Sequence, residues 1–145
     1  MEHERFAVAL VRGGTAAPGL GGRVEFYDHP DGTLVTAHIW GLPQSETGFF
    51  ALHIHGGAGC GGSDFSDTEG HFNPAGVIHP MHAGDLPPLL SVGGNAYLSV
   101  LTGRFRVDDI LGRTVVIHSN PDDFRTQPAG NAGEKIGCGI ILAGK

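Results

Sequence analysis

Two histidines one residue apart, His53 and His55, open a window in which His71, His79, His82 and Asp85 follow. Five of the nine histidines of the chain lie in this glycine-rich window, with turn residues between them. Imidazoles and a carboxylate gathered in this way are metal-ligand chemistry. On a strand, residues two apart point to the same face, so His53 and His55 can reach one ion while Ile54 anchors in the core. Alone, that pair reads equally well as two surface histidines. His79-Pro-Met-His82-Ala-Gly-Asp85 is sharper. Three ligands at three-residue spacing, held by Pro80, Gly84 and Pro87, can wrap a tetrahedral ion, and a histidine-rich set with one carboxylate suits zinc. The competing reading is a polar turn. His71, in His-Phe-Asn-Pro, adds an imidazole from an irregular loop, and the distant His118 adds another at a strand end.

Short strands must carry these groups. Period-two alternation predicts strands over residues 6–12, 23–27, 33–40 and 48–55. In the second, Val24 and Phe26 face inward; in the third, Val35, Ala37 and Ile39 do, leaving His38 and Trp40 outside. Phe50, Leu52 and Ile54 form the core face of the fourth. Regularity then stops between 56 and 88, a loop of about thirty residues whose length points to function. Strand patterns return over 89–92, 95–101, 113–118 and, after a second irregular stretch at 120–133, over 137–142. No 3.6-residue periodicity is long enough to predict a helix. Eight short strands with two long loops indicate an all-β, antiparallel sandwich or flattened barrel.

Composition sets the bounds. A chain of 145 residues suits a single domain with a proper core, and 40% hydrophobic content with few charges excludes a disordered one. The 25 glycines and 9 prolines favour many turns. A formal charge of −6, with nine scattered lysines and arginines, gives no basic stripe for nucleic acid. A negative protein repels a small anion, so an anion-using site needs its own positive charge. No apolar run approaches the ~18 residues that span a membrane. The start lacks a signal-peptide pattern, which fits either a cytoplasmic protein or the mature form of a secreted one. His3 at a frayed terminus, His29 in a turn and His38 on an outer face are expected to be no ligands.

The motifs together resemble the Cu,Zn superoxide dismutases. The resemblance rests on Leu52-His53-Ile54-His55, Cys60, Gly70-His71-Phe72-Asn73-Pro74, His82-Ala83-Gly84-Asp85-Leu86-Pro87, Gly112-Arg113-Thr114 through His118, Pro121-Asp122-Asp123, and Gly130-Asn131-Ala132-Gly133 through Gly137-Cys138-Gly139. These run in the family's order from the fourth strand to the end. The resemblance implies an eight-stranded Greek-key barrel and dismutation of superoxide to oxygen and hydrogen peroxide. It implies copper on His53, His55, His71 and His118, and zinc on His79, His82, Asp85 and the shared His71. Asp122 would link His53 to His79 from behind the metals. Cys60 and Cys138, the only cysteines, fall at the family's disulfide positions; a free buried pair is the alternative, favoured by a reducing cytoplasm. His71 would release copper and take up a proton on reduction. Dimers are frequent in the family, so a homodimer is expected with no face assigned.

Three departures stand out. Lys135 occupies the position where the family usually has an arginine beside copper, keeping the charge but losing the planar fork, so reduced activity is expected. The zinc loop is short, with His79 and His82 close together, which makes His79 the least secure of its ligands. The last loop carries Asp122, Asp123, Arg125, Glu134 and Lys135, with little surplus positive charge to steer an anion. A cupin-like enzyme would follow its His-x-His with a carboxylate, but Gly56, Gly57, Ala58 and Gly59 stand there. A non-catalytic copper- and zinc-binding module is the closer rival.

Overall fold

Alternating apolar residues dictate the first three strands. A computed structural model describes residues 6–144 and forms them as β1 (Phe6–Gly13), β2 (Gly21–His29) and β3 (Gly32–Trp40). Ala7, Ala9, Val11, Val24, Phe26, Val35, Ala37 and Ile39 are buried, while His38 and Trp40 face out as the alternation requires. His3 lies outside the described residues. Six further strands follow: β4 (Phe49–Phe50), β5 (Leu52–His55), β6 (Leu89–Leu90), β7 (Ala96–Thr102), β8 (Thr114–His118) and β9 (Lys135–Ala143).

Seven of the nine make one antiparallel sheet in the order β5-β8-β9-β1-β2-β3-β7, curled into a half-barrel, and β4 pairs with β6 in a small second sheet. The chain leaves β3 at one side of the large sheet and re-enters at its far edge in β5, then returns from β7 to β8. These long crossings leave the two irregular loops on the β5–β8 side. Between the faces, one core cluster runs from Ala7 to Ile141 and includes Phe26, Phe50, Leu52, Ile54, Leu89, Ile110 and Ile117.

Among the described residues nine strands rather than eight result, because the run over 48–55 changes partners at Ala51. Phe49 and Phe50 pair with Leu90 and Leu89. Ala51 instead donates to Asn120 and accepts from His118, both at 2.9 Å. The strand expected over 89–92 stops at Leu90, because Val92 turns back onto Asn95 through Gly93 and Gly94, both at positive φ. The loop over 56–88 holds one regular piece, a 3-10 turn at Ser63–Thr68. Among the described residues a single α-helical turn forms, α1 (Val107–Ile110), where the sequence pattern predicts no helix. It is too short for periodicity and is held by its buried Val107 and Ile110 and by the Arg106 N–H donating to Asp109 Oδ2 at 2.8 Å.

Candidate metal centre

All four residues of β5 are buried, because Leu52 and Ile54 face the core and His53 and His55 face a second buried layer. That layer is the long loop folded back on the outer edge of β5. The Phe72 N–H donates to the Ile54 carbonyl and the Ile54 N–H to Gly84, each at 2.8 Å; Gly84 donates in turn to Phe72 at 3.0 Å. Gly56 donates to Gly70 and Gly57 to Thr68, both at 2.8 Å. His55 thereby comes to lie opposite His71, and His53 opposite Asp85. A Cβ on Gly84 would sit 2.2 Å from the Ile54 carbonyl oxygen, so only glycine permits this lamination. On the other edge of β5, β8 brings in His118, where a register shift between Ile117 and His118 sets it opposite Lys135 of β9. Cys60 and Cys138 are joined in a disulfide, Cα to Cα 5.9 Å, which ties the start of the loop to β9.

The four histidines His53, His55, His71 and His118 bring one ring nitrogen each within 4.8 Å of one another. His55 turns Nδ1 to the Glu69 carbonyl at 2.8 Å, leaving Nε2 at 3.2 Å from His118 Nε2. His118 Nδ1 faces the Gly133 carbonyl at 3.4 Å. His53 places Nε2 on Asp122 at 2.9 Å and leaves a buried Nδ1 without a partner; His71 Nε2 is likewise buried and unpartnered. Donors about 2.0–2.1 Å from a tetrahedral ion lie about 3.3–3.4 Å apart; His55 and His118 stand near that spacing, and the other two nitrogens lie within 4.8 Å of them.

Beside them, His71 Nδ1 lies 3.0 Å from His82 Nδ1 and 2.8 Å from Asp85 Oδ1. Asp85 Oδ2 is 3.1 Å from His79 Nδ1 and 3.3 Å from His82 Nδ1. Yet Asp85 Oδ1 and His79 Nδ1 make no aligned hydrogen bond despite these short approaches. Two buried polar atoms left without an aligned bond amid such close approaches fit a cation among them. The tightest four-residue group here is His53, His71, His79 and Asp85, with His82 just outside it although it touches His71 and Asp85. His79, expected to be the least secure zinc ligand, lies within this group.

Two supports hold His79 from behind. Asp122 Oδ1 is 2.8 Å from His79 Nε2 while its Oδ2 takes His53, so one carboxylate spans both clusters. Gly130, at φ +68°, leaves room for it: a Cβ there would lie 1.9 Å from Asp122 Oδ1. Gln127 was not foreseen. Its Oε1 accepts from the His79 N–H at 2.9 Å and its Nε2 donates to the His79 carbonyl at 2.7 Å. Contacts to backbone carry no spacing signal. Arg113, likewise missed as a support, donates to the Gly56 carbonyl at 3.1 Å and stacks 4.4 Å above the Phe72 ring.

Burial keeps the imidazoles in their ligating form, since a metal binds the neutral ring. It lowers His55 to about 2 and His118 to about 3, with neighbouring histidines and Lys135 adding repulsion. Burial also lowers His53, against the pull of Asp122, and lowers His82 against that of Asp85. The carboxylates go the other way. Burial would raise Asp85, but His71, His79 and His82 outweigh it; burial would raise Asp122, but His53, His79 and the Phe124 N–H bring it to about 2. Lys135 sends its ammonium into the same neighbourhood, donating to Thr68 Oγ1 at 2.7 Å and to the Glu69 carbonyl at 3.0 Å. Outside the centre, His38 sits between Trp40 and Tyr97, and His29 turns back to the Asp31 N–H, so neither joins the cluster.

Comparison with known proteins agrees with this geometry. Residues 20–141 match the sequence family described as copper/zinc superoxide dismutase (SODC). Superoxide dismutase [Cu-Zn] 2 of Aquifex aeolicus (strain VF5) is 35% identical over 135 residues, spanning 83% of this chain and 78% of that protein. Among solved structures, a double mutant of a superoxide-dismutase-like protein from Bacillus subtilis superposes with TM-score 0.79 at 28% identity, over 93% of this chain and 96% of the other. The Cu/Zn superoxide dismutase of Brucella abortus shares the fold, with TM-score 0.78 at 22% identity, over 93% and 98% of the two chains. With that sequence pattern, that fold and a double histidine cluster of this kind, the chain belongs to the copper/zinc superoxide dismutase family.

Proposed function

We propose that the chain dismutes superoxide at a copper site made by His53, His55, His71 and His118, beside a zinc site made by His71, His79, His82 and Asp85. The carrying observation is His71, whose Nδ1 faces His82 and Asp85 while its buried Nε2 has no protein partner. His82 rather than His53 belongs to the zinc set. His53 has committed Nε2 to Asp122, and its one remaining nitrogen also lies in the four-histidine cluster. Residues 1–145 are read as one domain.

Copper held in the four-histidine cluster supplies one-electron chemistry between its +2 and +1 states. Two superoxide anions and two protons then become one oxygen and one hydrogen peroxide. Lys135 attracts the anion to an otherwise negative protein. The packed loop excludes water from the buried nitrogens. His71 Nε2 would take up a proton only while it no longer holds the metal, and would deliver it to the peroxide product, solvent supplying the second proton. His79, His82 and Asp85, holding zinc on His71 Nδ1, would keep the ring oriented meanwhile. Asp122 and Gln127 keep His53 and His79 from swinging away.

The partner is superoxide, with homodimerisation as part of the reading and no role for nucleic acid or membrane. Among the described residues no helix is long and apolar enough to cross a membrane. Anomalous diffraction at the copper and zinc edges, paired with superoxide decay after metal loading, tests the proposal. Two ions sharing His71 and a copper-dependent decay are expected. Zinc uptake without copper, and no decay after copper loading, would make the chain a metal-binding module instead.

A further inference from the structure

We infer that Thr68 is a positioning residue for the site: its buried hydroxyl fixes the Lys135 ammonium beside the four-histidine cluster. The inference rests on the dismutase reading of Lys135 and names what makes a lysine serviceable there. An ammonium is a compact charge on a flexible four-carbon stem and brings none of the geometric preorganisation of a guanidinium fork. Something else must hold it.

Thr68 has the required features. It is fully buried, and its hydroxyl donates to the Phe65 carbonyl at 2.8 Å. With the proton so committed, a lone pair of Oγ1 is left for Lys135 Nζ, 2.7 Å away. Phe65 and Asp64 take left-handed conformations, φ +56° and +58°, unusual for side chains of their kind, in the turn that presents this carbonyl. The Thr68 main chain is itself fixed, because its carbonyl accepts from the Gly57 N–H at 2.8 Å, two residues past His55.

The second anchor of the ammonium is the Glu69 carbonyl at 3.0 Å, which also receives His55 Nδ1 at 2.8 Å. Lys135 and His55 therefore share one acceptor, and the positive charge is held at a set distance from the cluster. Two of the three ammonium protons are used. The third remains for an anion. A free lysine in its place would spread its charge over many rotamers and lose the alignment.

The test uses the copper- and zinc-loaded protein with azide, a small monoanion, followed by its absorption change. Thr68→Val, which keeps shape and removes the hydroxyl, should weaken azide binding about fivefold, in line with the net worth of one ordinary hydrogen bond. Thr68→Ser should stay within about twofold of the parent. In a Lys135→Met background, Thr68→Val should change nothing further. An unchanged azide affinity in Thr68→Val, or an equal loss in the Lys135→Met background, would overturn the inference. Nitrogen-15 spectra of the zinc-loaded, copper-free parent protein add a readout independent of any variant's folding. A slowly exchanging Lys135 ammonium supports the inference, and a solvent-like one refutes it. Absence of superoxide decay in the parent, with the ammonium still ordered, would instead sink the dismutase reading and leave the Thr68 contact standing.

Discussion

At the residue scale, the charged groups behind the ligands separate what a metal cluster binds from how well it works. Lys135 keeps the charge of an arginine but only as a point, so Lys135→Arg is predicted to raise superoxide turnover at low salt by about twofold to threefold. Rates measured from low to high ionic strength check it; an unchanged or lower low-salt rate would remove Lys135 from the anion path. Asp122 serves two buried rings at once. Asp122→Ala strands both Nε2 atoms, and zinc affinity is expected to fall by about 10–100-fold, as measured by competition with a chromogenic chelator. Of the gathered side chains, His53 with His55 and His79 with His82 and Asp85 were legible as candidates from His-x-His and three-residue spacings, whereas His71 and His118, alone in their segments, were assigned only through the family resemblance. Gln127 and Thr68 were not legible, since each acts across more than forty residues on a partner that no spacing reveals.

At the element scale, the centre depends on a loop behaving as a strand. Residues 70–72 and 84 bond to the edge of β5 through main-chain groups alone, so no side-chain pattern announced the pairing, whereas alternation in β1, β2 and β3 announced theirs. The break at Ala51 was hidden for the same reason: Phe50, Leu52 and Ile54 alternate without interruption while the backbone changes partner. Gly84 lies in the His82–Pro87 motif, yet its role appears only in the fold, where its missing Cβ makes room for the Ile54 carbonyl. Gly84→Ala is therefore expected to destabilise the fold by about 1–3 kcal/mol, as overpacking does, and to loosen zinc. Urea denaturation and zinc retention on dialysis report the two effects. A variant as stable as the parent would mean that the loop does not lie on β5 as described.

At the scale of the whole molecule, one disulfide and a set of neutral buried histidines couple the centre to folding. The Cys60–Cys138 bond closes a loop across a sequence separation of 78, worth about 4 kcal/mol in the chain-entropy account, and it holds the ligand loop against β9. The histidines make the metal-free protein sensitive to acid. Unfolded, each imidazole titrates near ~6.5; folded, burial holds His55 at about 2 and His118 at about 3. As pH falls below the unfolded value, only the unfolded chain takes up these protons, so stability present at neutral pH is lost toward the folded values. Each of the two contributes a slope of up to about 1.4 kcal/mol per pH unit between about pH 6 and 3. Asp122, held at about 2 by His53 and His79 against burial, adds a loss of the same sign below about pH 4. Urea melts of the chelator-treated protein at intervals from pH 7 to 4 should show this decline, and His118→Gln should flatten it by one histidine's share. Bound metals hold the same rings neutral, so the loaded protein should stay level until the ions leave. Equal stability of the metal-free protein at pH 7 and pH 4 would show that these rings are not buried as the fold requires.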